Sequence, residues 1–518
     1  MPIDTPDWVR DAVFYQILPD RFAASERVPK PGPLEPWDSP PTTYGFKGGD
    51  LLGIVERLDY LQGLGITALY LTPIFSSASN HRYHTYDYFQ VDPLLGGEAA
   101  LRELLDEAHA RGMRVVLDGV FNHTGRGFWA FHHVLETGAS SPYRHWFHFD
   151  QEALDRGSPV LAYPGAHRRS GVGRDEPVVG EPAPHHDGSR SMHELGFKAW
   201  WDLPALPKLN TDNPHVREHL WAAAEHWIRF GIDGWRLDVP EEIDDPSFWQ
   251  EFRRRVRAAN PEAYTVGEIW HVAPEWLSGD RFDALMNYPL AEAILSFVGG
   301  QHLNEAVVRA HHEYGPNVRR DDGPGFASRL AGVLEAYPEE VTAVQLNLLD
   351  SHDSPRIHTL VSGDRAAYRL AVLLQATLPG APCVYYGDEV GLEGGNDPDC
   401  RCSFPSEASW DRSLVEFVSA AFRMRAAEPA LRRGGWRIAA AAGEAMAFER
   451  IHDGSRLLVA VNAGDQDARL ALELPGSAGR RLEPLALPGW ETSAVDLPTD
   501  AAAEMHVDAR SGGVWRLA

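Results

Sequence analysis

Lysine is nearly missing from this chain. Only Lys30, Lys47, Lys198 and Lys208 occur among 48 basic residues, so arginine carries almost all the positive charge, a bias that reflects genome composition more than function. Positive charge is itself short, because 48 basic residues face 74 acidic ones and leave a formal net charge of −26. Counterion release needs a basic surface, so neither nucleic acid nor an anionic membrane is an expected partner. No run approaches the roughly 18 apolar residues of a membrane span. Residues Met1 to Trp8 carry no basic n-region and no apolar h-region, so no signal peptide is expected and the expected location is cytoplasmic. The three cysteines, Cys383, Cys400 and Cys402, are too few for a disulfide framework. Cys400 and Cys402 flank one residue, but no second Cys pair completes a four-ligand metal site. There is no His-Glu-x-x-His and no glycine-rich phosphate loop, which removes zincins and nucleotide enzymes.

What is present is a long soluble chain with ample apolar residues and 16 Trp, too long at 518 residues for one ordinary core. The centre of its organisation is Gly231-Ile232-Asp233-Gly234-Trp235-Arg236-Leu237-Asp238-Val239. Its apolar residues read as a buried strand, which has no structural need for Arg236 and Asp238. Buried charges are costly unless paired or used, so a structural ion pair and a functional site are the two readings. Apolar strand-like runs recur at 12–18, 66–71, 114–118, 263–267, 284–287, 343–348 and 383–386. Helix-period segments at 51–64, 98–110, 213–230 and 364–378 alternate with them. That rhythm gives eight parallel strands with crossover helices, an α/β chain closing into a (β/α)8 TIM barrel. Between about Asn122 and Ala205 the rhythm fails in a stretch rich in Gly, Pro, His and aromatics, expected to be an inserted domain B after strand three. After about Arg433, alternating runs such as 445–450, 456–461 and 469–474 predict a separate antiparallel β-sandwich. The expected division is 1–121 and 206–432 for the barrel, 122–205 for the insertion and 433–518 for the C-terminal domain.

In such a barrel the C-terminal strand ends face the active site. Those ends bring Asp118, Arg236 with Asp238, Glu268, and His352 with Asp353 into one place. Two carboxylates flanking a bond are what retaining glycoside hydrolysis requires. A nucleophile needs a low pKa, which Arg236 can supply from two residues before Asp238 on the same strand face. The general acid needs a raised pKa, which a neighbouring carboxylate can provide. Loops dense in Tyr, Trp and His suit sugar rings.

The strings Asp118-Gly119-Val120-Phe121-Asn122-His123, Gly234-Trp235-Arg236-Leu237-Asp238, Gly267-Glu268-Ile269-Trp270 and Leu349-Asp350-Ser351-His352-Asp353 resemble, in order, the four signature regions of the α-amylase family, glycoside hydrolase family 13. The resemblance covers most of residues 8 to 430. It implies that Asp238 is the nucleophile, Glu268 the acid/base and Asp353 the stabiliser holding sugar hydroxyls. Asp118, Arg236, His123 and His352 would line subsite −1 with Tyr83 as stacking platform. Asp397 and Arg401 resemble the pair that holds the sugar at subsite −2. The strings at 206–210 and 280–289 are similar to neopullulanase, cyclomaltodextrinase and maltogenic amylase. Enzymes of that group cut α-1,4 and often α-1,6 bonds in maltooligosaccharides, cyclodextrins, pullulan or starch. An α-glucan is therefore the expected partner. An α-glucanotransferase, an exo-acting α-glucosidase and a non-catalytic sugar-binding protein are the alternatives, the last marked by loss of an acid.

Two departures from the group stand out. Its extra N-terminal β domain has no counterpart before Ala12, so the expectation is a monomer, or a dimer formed by another route. Region II continues Val239-Pro240-Glu241-Glu242 where the group has an Ala-Asn pair before the retained Glu242, on the +1 side. The resemblance also raises calcium. The loop Ala23 to Pro29 offers few oxygen ligands, while Gly49 and Asp50 survive from that site and Asn122 matches another. Asn122 reads equally as a hydrogen-bonding residue of the site. No cofactor is expected to be required, and calcium at Gly49, Asp50 or Asn122 is left open.

Overall fold

The computed structural model describes residues 3–164, 189–499 and 503–518. Eight short parallel strands form one sheet: β1 (Phe14–Ile17), β2 (Ala68–Leu71), β3 (Arg114–Gly119), β4 (Gly234–Leu237), β5 (Tyr264–Gly267), β6 (Ala284–Leu285), β7 (Leu346–Leu348) and β8 (Ala381–Tyr385). Their spatial order is β6-β5-β4-β3-β2-β1-β8-β7, and a parallel bridge from Met286 to Leu346 joins β6 to β7 and closes the barrel. Nearly every strand residue is buried, which is why these segments read as continuous apolar runs. The strands are shorter than their apolar runs, because pairing ends where the chain turns out of the barrel.

The crossover helices follow from local chemistry. Helix Pro214–Phe230 starts with Pro in its first turn and with the Asn213 side chain accepting from His215 N; it ends at Gly231 with φ 122°. Helix Gly97–Ala110 buries Ala100, Leu101, Leu104, Leu105 and Ala108, a single helical stripe facing the sheet. The expected helix at 51–64 is two, Leu51–Val55 and Leu58–Leu64. The first is pressed against the loop at Ala23, where a Cβ on Gly53 would lie 2.2 Å from Ala23 O, and the helix gives way to a turn at Glu56 and Arg57 before the second begins. A hairpin pairs Phe75–Ser77 with Thr85–Val91, and Tyr83 lies in the turn between its strands.

Between β3 and helix Pro214–Phe230 the described residues add no strand to the barrel. They are tied down by bridges His123 to Lys208, Phe147 to Leu209, Phe149 to Phe197 and Ala199 to Pro207. Residues 165–188 of the insertion expected at 122–205 lie outside the described residues. The C-terminal part forms a six-stranded antiparallel sheet and a two-stranded partner. Its packing is less separate than the pattern implied. Met446, Phe448, Leu457, Val459, Val461 and Val514 belong to the same apolar core as the barrel. The opposite face, with Leu458, Leu470, Leu472, Met505 and Trp515, builds a second small core. Among the described residues no helix is long and apolar enough to cross a membrane.

Candidate active site

The register of three neighbouring strands assembles the charges. Asp118 on β3 pairs directly with Arg236 on β4, and Leu237 pairs with Gly267 on β5. The ladder runs one step further, through Asp238 N to Gly119 O (3.1 Å) and Glu268 N to Leu237 O (2.9 Å). Asp238 and Glu268 therefore leave the barrel rim on adjacent strands. Arg236 is fully buried and reaches all three acids. Its Nη1 donates to both oxygens of Asp118 (3.0 Å each) and to Asp238 Oδ1 (2.9 Å). Its Nη2 lies 3.0 Å from Glu268 Oε2 without hydrogen-bond alignment, an ion pair rather than a hydrogen bond. Glu268 Oε2 is held by the Val239 backbone N–H (3.1 Å) and Oε1 faces Trp270 Nε1 (3.4 Å).

The remaining expected residues surround this core. Tyr83 Oη donates to Asp118 Oδ2 (2.8 Å) and lies 2.5 Å from His352 Nε2, with the two rings nearly parallel. Arg401 donates to His352 O (2.8 Å) and Asp353 Oδ1 (3.0 Å), and its other amino group pairs with Asp397 (3.2 Å). His352 Nε2 lies 3.0 Å from Asp353 Oδ2, and about a third of the Asp353 side chain (34%) is open to the cleft. His123 is buried, stacked on Trp200 at 4.8 Å, and its Nε2 has no hydrogen-bond partner. Glu242 is taken up by Lys208, with Oε2 to Nζ at 2.6 Å.

Burial pushes Asp238 well above its ordinary value, against the low value expected of a nucleophile, and raises Glu268 as well. The Arg236 cation opposes the rise, and neighbouring carboxylates add to it. The two carboxyls titrate as a pair, and the well-aligned bond from Arg236 Nη1 goes to Asp238 and not to Glu268, which favours the ionised form at Asp238. Burial acts to raise Asp353 as well, but the adjoining His352 ring and Arg401 guanidinium outweigh it and hold that carboxyl far below the usual range. Burial brings His123 down to about 3, so its ring is neutral at neutral pH.

Several contacts were not legible in the sequence. Tyr70 Oη donates to Asp118 (2.7 Å), Gln16 Nε2 meets His352 Nδ1 (2.8 Å), and His311 Nε2 meets Asp353 O (3.0 Å). Gln16 had a signal, being the polar residue inside an apolar strand. Val239 had none: it sits at φ 35°, an unusual conformation for a β-branched residue, and that turn aims its N–H at Glu268.

The calcium candidates Asn122 and Gly49–Asp50 lie in different stretches, Asn122 just after β3 and Asp50 at the start of helix Leu51–Val55. Asn122 is buried with an unpartnered Oδ1, next to His123. The Asp50 carboxylate accepts from Gly53 N, Ser25 N and Lys30 Nζ. Among the described residues, the one set of three His/Cys/Asp/Glu ligand atoms close enough for a metal is the exposed Asp467, His506 and Asp508. Cys400 and Cys402 are free thiols whose Sγ atoms donate to the carbonyls of His352 and Asp399.

Comparison with known proteins bears on the same geometry. The family described as alpha amylase, catalytic domain, matches residues 16–447. A cyclomaltodextrinase of Geobacillus thermopakistaniensis is 41% identical over 90% of this chain and 71% of its own. Neopullulanase 2 of Thermoactinomyces vulgaris is 40% identical over 92% of this chain and 73% of its own. The crystal structure of a debranching enzyme from Nostoc punctiforme superposes with a TM-score of 0.82 at 44% identity, covering 99% of this chain and 100% of that one.

Proposed function

The chain belongs to the α-amylase family of glycoside hydrolases, and from that premise we propose that it cleaves α-glucans with retention through a glycosyl ester on Asp238. One observation carries the reading: a single buried guanidinium, Arg236, contacts both Asp238 and Glu268 at adjacent strand ends. Two carboxyls held that way can address one glycosidic bond. Asp238, bonded to the cation, attacks the anomeric carbon. Glu268 gives its proton to the departing oxygen and then, as carboxylate, takes one from the incoming water. Asp353, ionised and open to the cleft, accepts hydrogen bonds from sugar hydroxyls. His123 presents its free Nε2, Tyr83 and His352 form the floor beside the sugar, and Arg401 with Asp397 lies beyond Asp353.

The bonds attacked are α-1,4-glucosidic, with α-1,6 bonds accepted, in maltooligosaccharides, cyclodextrins, pullulan or starch. Similarity to a cyclomaltodextrinase and a neopullulanase supports the first class, and similarity to a debranching enzyme supports the second. The test is the product profile from maltotriose, β-cyclodextrin, pullulan and starch, with anomeric configuration followed by NMR. Ring opening of the cyclodextrin with first-formed α-anomers is expected. Glucose as sole product from maltotriose, with cyclodextrin and pullulan untouched, would mean an exo-acting α-glucosidase. First-formed β-anomers would end the retaining mechanism.

A further inference from the structure

Calcium is the one cofactor that the family resemblance raises at Gly49 and Asp50, and the residues there do not fit it. Asp50 is completely buried, where an unpaired carboxylate is costly. Its Oδ1 accepts from Gly53 N (2.7 Å), capping helix Leu51–Val55, and its Oδ2 accepts from Ser25 N (2.9 Å). The same Oδ2 receives the Lys30 ammonium at 2.8 Å, and that ammonium also reaches Leu94 O at 3.2 Å. Calcium takes six to eight oxygens, and the Lys30 ammonium already fills the place beside Asp50 Oδ2 that it would need. Ala23 O accepts Asp50 N (2.8 Å), Ser25 O accepts Val28 N (3.4 Å), and Ser25 Oγ donates to Glu56 (2.6 Å). Gly49 has a packing reason of its own: a Cβ there would lie 2.1 Å from Pro19 O.

We propose that the Lys30 ammonium is a built-in cation standing where a divalent metal would otherwise sit on Asp50, so that the turn at residues 23–30 is locked without calcium. Three of the four lysines place a compact ammonium among protein oxygens, Lys30 being one of them. Lys47 Nζ donates to Pro36 O, Ser39 O and Ser39 Oγ at 2.6–2.8 Å, and Lys208 Nζ to Glu242. Lys30 and Lys47 together pin the proline-rich loop whose Thr43 and Gly45 carbonyls accept from Asn80, next to the His81–Tyr83 segment of the site.

The experiment is thermal unfolding of the full chain in EDTA and in millimolar calcium chloride, for the wild type, Lys30→Met, Asp50→Asn and the double variant. The wild type should unfold at the same temperature in both buffers. Lys30→Met should unfold lower in EDTA and regain about 2–4 °C with calcium, and adding Asp50→Asn should abolish that regain. If Lys30→Met is not recovered folded, Lys30→Gln, uncharged and milder in shape, takes its place. A calcium response in the wild type that Asp50→Asn removes would overturn the proposal. So would a Lys30 variant that responds to calcium no more than the wild type.

Discussion

Two buried arginines at opposite ends of the barrel separate structure from chemistry. Arg425 sits under the N-terminal strand ends and donates to the carbonyls of Ala376, Leu378, Gly380, Leu431 and Arg10. Arg450 beside it donates to the carbonyls of Thr377 and Gly434. Both cations sit at the C-terminal end of helix Arg365–Thr377, where the helix dipole is negative, and among the described residues no carboxylate forms an ion pair with either. Arg236, at the C-terminal strand ends, is as deeply buried but faces Asp118, Asp238 and Glu268. A cation held only by neutral carbonyls has no acid beside it whose protonation it could govern. One cation among three acids leaves a surplus of negative charge and a proton to hold, which is the requirement of an acid/base pair.

That contrast is sharpened first at the acid itself. Glu268→Gln should lower kcat on α-glucans by about 10³–10⁴-fold while oligosaccharide still binds, measured by steady-state kinetics and calorimetry. A wild-type rate in that variant would remove Glu268 from the mechanism. Next come the arginines. Arg236→Met should cost on the order of 10²–10³ in kcat with a folded protein. The orphaned acids would take up protons, so the variant's stability should fall more steeply than the wild type's as pH rises. Arg425→Met should do the reverse. It should lose about 3–5 kcal/mol in denaturant unfolding, because several buried carbonyls lose their donor, with kcat per folded molecule unchanged. Equal behaviour of the two variants would break the comparison.

Smaller effects follow from charge coupling. Activity needs Glu268 protonated and should decline as pH rises through its raised pKa. Asp353 contributes to that rise, so Asp353→Asn should move the alkaline limb of its residual activity to lower pH. Glu292 is the mirror image of Arg425, a buried acid bonded to Asn317 (3.1 Å), and burial raises it to about 7. Between the ordinary glutamate value and about 7, the folded state keeps a proton that the unfolded state has lost, so stability falls as pH rises through that window. Glu292→Gln should therefore gain about 1–3 kcal/mol at pH 8 and nothing below pH 4. Denaturant unfolding at the two pH values checks it.

The barrel was legible because apolar runs ending in Gly or an acid recur with helices between them, and the site because its acids stand at those ends. Asp118 opposite Arg236 needs only the strand register once the barrel is assumed. What escaped depended on distance in sequence or on backbone conformation. Val239 at positive φ has no sequence signature, and His311 reaches Asp353 from a segment 42 residues away. The C-terminal strands alternate as a sandwich should, but alternation does not reveal that one face is shared with the barrel through Met446, Phe448 and Val459. The break after Val55 was hidden because helical periodicity continues across it, while the close approach at Gly53 is set by the loop at Ala23.

The central claim, that Asp238 carries the sugar, is tested most directly by trapping it. Glu268→Gln would be mixed with α-maltosyl fluoride, whose leaving group needs no acid, and the protein mass measured intact and after proteolysis. The account predicts one added maltosyl unit, located on the peptide that contains Asp238, because the base for the second step is missing. Fluoride release with no adduct and inverted product, or an adduct on another carboxylate, would contradict it.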